Sequence, residues 1–171
     1  SHVHISGSSS SVAKVFKSKI SIYKSKVTVI DKKIIKYTKK ISSTSSSVKK
    51  VQYKAKISTC KRQKAQLKVK ITKVKISIAK VTKTSTKSLV KRLSVQRSSV
   101  KKCVSKEIKA SRKVVKVVTK RVETLRSQIK RSSGSTRTRL IIKMTGLKVT
   151  RKSAVRKVTK SISVQKSVIK K

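Results

Sequence analysis

Lysine and arginine are the side chains of this 171-residue chain whose number and placement suggest chemistry. There are 51 of them against three acids, Asp31, Glu107 and Glu123, so the formal net charge is +48. Each ammonium or guanidinium group that contacts a phosphate releases a condensed counterion, and this release drives binding to polyanions. The composition therefore predicts a phosphate-rich partner, which makes nucleic acid the first class of ligand to consider.

Arginine is expected where a forked, two-point contact to a phosphate or a base edge is needed, whereas lysine acts as a point charge. Most of the arginines follow residue 111 and surround a polar segment at 131–139. The lysines of residues 68–76 alternate with apolar residues and would follow a phosphate backbone without reading its bases. The predicted nucleic-acid-binding residues are Arg112, Arg121, Arg126, Arg131, Arg137, Arg139, Arg151, Lys152, Arg156, Lys68, Lys70, Lys73 and Lys75.

Residue types for catalysis and metal binding are sparse. General acid–base catalysis would depend on three scattered carboxylates or on His2 and His4 near the start of the chain. Cys60 and Cys103 lie far apart without a CxxC or Cys/His spacing, so we expect two free thiols rather than a zinc site. We therefore expect a protein that is not an enzyme and that holds no metal or cofactor.

The clearest structural element is a helix over residues 104–129. Its apolar positions recur mostly three and four residues apart, which is typical of a helix that packs along another helix. The intervening positions are mostly Lys, Arg, Ser and Thr. The predicted seam consists of Val104, Ile108, Val115, Val118, Val122, Leu125 and Ile129, with Ser111 in the vacant position.

A second helical stripe follows the polar segment 131–139, in which Gly134 permits a positive φ. Two apolar stripes that flank one short polar loop indicate an antiparallel helical hairpin. The run from Leu140 to Val149 adds the alternative of a strand or an irregular segment before the last helix. The stripe consists of Met144, Leu147, Val155, Val158, Ile162 and Ile169.

The first half of the chain shows a different pattern. Val and Ile alternate with Lys, Ser or Thr, most regularly in KVKITKVKI at 68–76. A period of two together with β-branched residues predicts strands. We therefore expect an α+β fold with a flexible tail at 1–11, a small Lys-faced β unit at 12–82 and a long basic antiparallel helical hairpin at 83–171. The polar runs 42–47 and 84–86 are the predicted linker and hinge.

Residues 151–159, RKSAVRKVT, resemble the motif RKSxxRxxT in the second helix of a ribosomal protein family, the twenty-nine family of the large subunit. Members of that family are long antiparallel helical hairpins near the peptide exit tunnel. The resemblance implies that Arg151, Lys152 and Arg156 face ribosomal RNA. Residues 144–158, MTGLKVTRKSAVRKV, are also similar to the second helix of a core histone, which implies DNA as the related alternative.

These observations lead to a main hypothesis and several alternatives. The main one is a structural RNA-binding protein of a ribosome-like ribonucleoprotein, intracellular and in contact with other proteins of the same assembly. A DNA-compacting, histone-like protein is the nearest variant. Because Asn, Pro and Trp are absent, a component of a filament or large complex whose residue identities are partly placeholders is another. No run is apolar enough for a transmembrane helix, and binding to a membrane surface is less favoured because the helices lack Trp and Phe.

Overall fold

The computed structural model describes the backbone of residues 2–170 and the side chains of residues 11–170. It contains four long α-helices: α1 (His2–Ser43), α2 (Ser47–Val81), α3 (Lys87–Lys130) and α4 (Gly134–Lys170). Since the described backbone contains no strand, the fold is all-α. The expected α+β class is wrong, and the β-rich unit predicted at 12–82 is replaced by α1 and α2.

Three short polar segments, 44–46, 82–86 and 131–133, separate the helices. They lie within or overlap the segments predicted as the linker, the hinge and the hairpin loop. The side chain of Ser46 accepts the backbone N–H of Lys49 at 3.2 Å and so caps the start of α2. Gly134 has a φ of 60° as predicted, but α4 begins there, so the loop is shorter than 131–139 and residues 140–149 are helical.

The alternation in α2 has a helical cause. Apolar residues of α2 form two seams, each with spacings of three and four, and the second seam is offset from the first by two residues. Since successive residues turn by about 100° in a helix, two residues place side chains about 200° apart, on nearly opposite faces. A helix with two opposite apolar faces therefore imitates the period of a strand. The half-buried or buried members near KVKITKVKI are Val69, Thr72 and Ile76 on one face and Leu67, Ile71 and Val74 on the other.

The pattern in α1 is a single long seam. Its members recur at alternating spacings of three and four, which is the heptad period of packed helices. The pairs that suggested strands, such as Ile20 with Ile22, join a seam residue to one on another face. Ile20 is half-buried, whereas Ile22 is 55% exposed. The seam consists of Ala13, Phe16, Ile20, Tyr23, Val27, Ile30, Ile34, Tyr37 and Ile41.

The chain divides into two compact units, the first formed by Ser1–Ile35 with Cys60–Cys103 and the second by Lys36–Thr59 with Val104–Lys171. The core of the first unit is built mainly from side chains of α2, together with Ile30 of α1 and Val100 of α3. Thr72 is 1% exposed and donates a 2.6 Å hydrogen bond from Oγ1 to Oε1 of Gln96, which joins α2 to α3. The buried apolar residues of this unit are Ile30, Cys60, Ala65, Leu67, Ala79 and Val100.

In the second unit the seam of α3 forms the core, as predicted, except that Val114 is buried and the predicted Val115 is half-buried. Val104 and Val118 are fully buried and Leu125 is 1% exposed. Val51 and Ala55 of α2 and Ala154 of α4 pack in the same cluster as Val114, Val118 and Val122. The stripe predicted for α4 is partly wrong, because Val155 and Ile169 are exposed while Ala154 and Ser161 are buried. Small residues at those positions let α4 approach its neighbours, so the large apolar residues did not mark its packed face.

Candidate nucleic-acid interface

One face of α3 in the second unit presents a continuous row of lysines. Its five members are all exposed and recur at spacings of three and four, so they lie above one another on the helix. At about 100° per residue, this row lies on the face opposite the buried seam of Val104, Val118 and Leu125. We call it the α3 lysine row; it consists of Lys106, Lys109, Lys113, Lys116 and Lys120.

The α3 lysine row has no carboxylate within it. Glu107, next to Lys106 in the sequence, is 4% exposed, lies on the seam side of α3, and accepts a 2.8 Å hydrogen bond from the buried Ser161 of α4. Glu123 is exposed and follows Lys120 by three residues, so it lies at the C-terminal end of the row and not between its members. Like charges three and four residues apart destabilise a helix by a few tenths of a kcal/mol per pair. The row therefore bears a repulsion that a bound polyanion would relieve.

A second row lies on α4. Its members are four residues apart, which corresponds to a rise of about 6 Å between successive charges along the helix axis. All four are exposed, and they include two residues that the sequence predicted to bind nucleic acid, Lys152 and Arg156. We call it the α4 basic row; it consists of Lys148, Lys152, Arg156 and Lys160.

The predicted site residues are distributed over three helices and one loop. Lys68, Lys70, Lys73 and Lys75 lie on α2 in the first unit, and the other nine belong to the second unit. All are exposed except Lys75, which is half-buried. The α3 positions are Arg112, Arg121 and Arg126, the loop position is Arg131, and the α4 positions are Arg137, Arg139, Arg151, Lys152 and Arg156.

The structure brings some of these residues together and separates others. Lys152 and Arg156 are neighbours on the α4 basic row, whereas Arg121 and Arg126 flank the seam of α3 and lie outside its lysine row. Two of the side chains have intramolecular contacts. The ammonium of Lys70 lies 5.9 Å from the ring centroid of Tyr23, and Nε of Arg131 donates to the backbone oxygen of Ser127 at 3.4 Å.

Sequence reasoning missed the α3 lysine row because it ranked arginine above lysine. The row could have been found by applying the spacing of three and four to the charged residues of 104–129 as well as to the apolar ones. Lys148 and Lys160 were missed in the same way, although they complete the row that contains Lys152 and Arg156.

No group of three or more potential metal ligands occurs among the residues that the structure describes. The side chains of His2 and His4 fall outside that description. Cys60 is a buried free thiol and Cys103 a half-buried one. Burial raises the pKa of the Cys60 thiol above its ordinary value of 9.0, and the nearby positive charge of Lys33 opposes that rise. A buried, protonated thiol is a poor nucleophile, so Cys60 contributes to packing rather than to chemistry.

Along the described helices, no stretch is both long and apolar enough to cross a membrane. The chain matches no family model, and no curated protein and no solved structure matches it. Its function therefore has to be argued from the composition and from the placement of its charged faces.

Proposed function

We propose that this protein is a structural RNA-binding protein that neutralises backbone phosphates with the exposed basic faces of its helices. The observation that carries the proposal is the α3 lysine row, an unbroken line of five exposed ammonium groups opposite a packed seam. On this proposal the chain works inside the cell as part of a large, ribosome-like nucleoprotein assembly, in contact with the RNA and with other proteins of that assembly.

The chemistry of these faces favours backbone contacts over base recognition. Lysine supplies a point charge without the fork that pairs with a base edge. The described aromatic side chains are few, and Tyr37 and Tyr53 stack on each other with ring centroids 6.0 Å apart. Base stacking therefore contributes little on this proposal, and affinity comes mainly from counterion release.

The proposal is tested by removing the charges of the α3 lysine row and measuring RNA affinity. The row variant replaces Lys106, Lys109, Lys113, Lys116 and Lys120 with Gln. At about 0.15 M salt we expect its affinity for a duplex RNA to fall by about two to three orders of magnitude, because five counterion-releasing contacts are lost. Fluorescence anisotropy of a labelled RNA measures the change, and circular dichroism checks that the helices persist.

A matched control removes the same charge elsewhere. The α1 control variant replaces five exposed lysines of α1 with Gln, and we expect a much smaller loss of RNA affinity from it. Equal losses in the two variants would show that the net charge, rather than the lysine row, determines binding. The control positions are Lys14, Lys17, Lys24, Lys32 and Lys39.

The choice of RNA over DNA rests on the resemblance of residues 151–159 to a ribosomal helix. A competition between duplex RNA and duplex DNA of equal length tests it. We expect RNA to compete more effectively. Tighter binding of DNA would instead favour the DNA-compacting, histone-like variant of the proposal.

A protein-assembly role is favoured by a separate observation on α1. Val15, Ile22, Val29 and Ile35 are each between 53% and 56% exposed, and the first three recur every seven residues. Such a line of apolar side chains is the kind of surface that packs against another helix. If the chain is a filament or scaffold component, sedimentation velocity will show self-association in nucleic-acid-free solution, and Ile22→Ser with Val29→Ser will abolish it.

A further inference from the structure

A cavity of about 220 Å³ lies between α2, α3 and α4 within the second unit. Its apolar lining consists of the buried residues Ala55, Val114 and Ala154 and of Val149, which is 65% exposed. A cavity needs about 10–15 Å³ to hold one water, so this one is large enough for a small oxyanion. The polar residues that line it are Gln52, Lys56, Ser111, Thr150, Ser153 and Lys157.

These polar residues can all donate hydrogen bonds. Two are ammonium groups, three are hydroxyls and one is a side-chain amide. No carboxylate belongs to the lining as far as the described residues show. The closest acid in the α3 sequence, Glu107, accepts a hydrogen bond from Ser161 and is not part of the lining. A concave site with many donors and no acid is complementary to a phosphate group.

The two lysines of the cavity come from different helices and repel each other. The pKa of Lys157 lies below its ordinary value of 10.5, first because part of the side chain is buried and second because the charge of Lys56 is near. Among the described residues, the helices that pack against Lys157 contribute no carboxylate to the lining of the cavity. An anion between the two ammonium groups would replace this repulsion with two attractions.

Lys56 is held in place by a pair of tyrosines. Its Nζ lies 5.3 Å from the ring centroid of Tyr37 and 6.0 Å from that of Tyr53. Lys40 Nζ lies 5.9 Å and 5.5 Å from the same two rings. Cation–π contacts at these distances restrict the lysine side chain, so less conformational entropy is lost when Lys56 binds a ligand.

We propose that this cavity is a binding site for a phosphate group, held between Lys56 and Lys157 and hydrogen-bonded by Ser111 and Ser153. The inference concerns one defined cavity and does not depend on the proposed role of the lysine rows. Two sources supply the same chemistry: a small free anion such as inorganic diphosphate, or a phosphate of a bound RNA.

The test uses inorganic diphosphate as the probe and isothermal titration calorimetry as the measurement, at about 0.15 M salt, where charges beyond about 8 Å are screened. We expect saturable binding of one diphosphate per chain. Lys157→Gln should lower the affinity by about tenfold or more, because a charged hydrogen bond contributes about 1.5–3 kcal/mol. Ser111→Ala should lower it less, since a neutral donor is lost.

Lys166→Gln is the matched control, because Lys166 is exposed on the same helix, belongs to neither basic row, and lies two and a half turns after Lys157 on the opposite face. We expect it to change diphosphate affinity by less than about twofold. Equal losses in Lys166→Gln and Lys157→Gln, or diphosphate binding that does not saturate, would overturn the proposal. Circular dichroism of the variants separates loss of binding from loss of the helices.

The source of the phosphate is decided by repeating the titration with RNA. If diphosphate does not compete with RNA, and Lys157→Gln leaves RNA affinity equal to that of Lys166→Gln, the site takes a small free anion. Competition, together with a larger loss of RNA affinity in Lys157→Gln, shows that the site holds an RNA phosphate. Failure of the row variant to affect RNA would overturn the proposed function and leave this site unaffected.

Discussion

Lys83 has a backbone conformation that favours glycine. Its φ is 55°, and it follows the end of α2. The N–H of Thr84 donates to the oxygen of Ala79 at 2.8 Å, and the N–H of Lys83 donates to that of Lys80 at 3.3 Å. These two bonds form a Schellman motif, in which glycine is usual at the left-handed position. A lysine there is strained, because its Cβ lies too close to the following carbonyl oxygen.

We predict that Lys83→Gly increases the free energy of unfolding by about 1 kcal/mol, because the steric strain at the left-handed position is removed. Lys73→Gly, the same substitution within α2, should decrease it by about 1 kcal/mol, because glycine costs more backbone entropy in a helix. Urea unfolding monitored by circular dichroism measures both values. A loss of stability in Lys83→Gly would contradict the assigned helix end.

Cys60 links stability to alkaline pH. Burial raises its pKa in the folded chain, whereas the unfolded thiol titrates near 9.0. Between these two values the unfolded chain has lost a proton that the folded chain keeps, so unfolding is favoured as the pH rises. The protonated Cys60 thiol therefore contributes its full stabilisation below about pH 9, and this contribution is lost as the pH rises further.

We therefore predict that the urea midpoint of the wild-type chain falls between about pH 8 and about pH 10 by more than that of Cys60→Ala. The variant lacks the thiol but keeps every other titrating group, so the difference between the two chains isolates Cys60. Identical pH dependence in the two chains would show that this thiol titrates normally in the folded state.

At the scale of elements, the seam of α3 contributes most of the core of the second unit. We predict that Leu125→Ala lowers the free energy of unfolding by about 3 kcal/mol, because Leu125 is 1% exposed and its loss leaves a cavity. Ile142→Ala on α4, where Ile142 is 66% exposed, should change it by less than about 0.5 kcal/mol. Thermal or urea unfolding measures both, and similar effects at the two positions would contradict the described packing.

The α3 lysine row should show a conflict between stability and binding. Lys113→Glu places an acid between Lys109 and Lys116, so it replaces two repulsions with two attractions. We expect a gain in stability of about 0.5–1 kcal/mol at low salt and a loss of RNA affinity. Lys113→Gln should give a smaller change of both quantities in the same directions. A loss of stability in the glutamate variant would show that like-charge repulsion within the row does not lower the stability of the folded chain.

The helices differ in how clearly the sequence indicated them. The seam of α3 was predictable because its apolar residues are interrupted only by Ser111 and most of the remaining positions are polar, although Val114, outside the predicted seam, is also buried. The two opposite seams of α2 were mistaken for strands, because Val69 and Ile71 belong to different faces of the helix yet stand two residues apart. The packed face of α4 was concealed for another reason, since its buried positions are the small residues Ala154 and Ser161.

The candidate interface was predictable at the level of chemistry and only partly at the level of residues. Counting charges indicated a polyanion, and residues 151–159 contained two members of the α4 basic row. The α3 lysine row could also have been found in the sequence from its spacing of three and four, and the structure places it opposite the buried face of α3. The cavity between Lys56 and Lys157 joins residues far apart in the chain, so no local pattern could have indicated it.

At the scale of the whole molecule, the main feature is the imbalance between basic and acidic residues. The chain has 51 basic residues and three acids. The ion pair of Asp31 with Lys64, at 2.7 Å, is partly exposed and contributes about 0–1 kcal/mol. Self-repulsion opposes the compact state, and a ligand that binds the folded chain stabilises it by mass action. We therefore expect order in this protein to be coupled to polyanion binding.

The salt dependence of RNA affinity tests this account most directly. The logarithm of the binding constant should fall linearly with the logarithm of the salt concentration, with a slope of about 0.7–0.9 for each phosphate contacted. We predict that the row variant reduces the magnitude of the wild-type slope by about 4, and that the α1 control variant changes it much less. A wild-type affinity that does not vary with salt would contradict the account, and so would equal slopes in the wild type and the row variant.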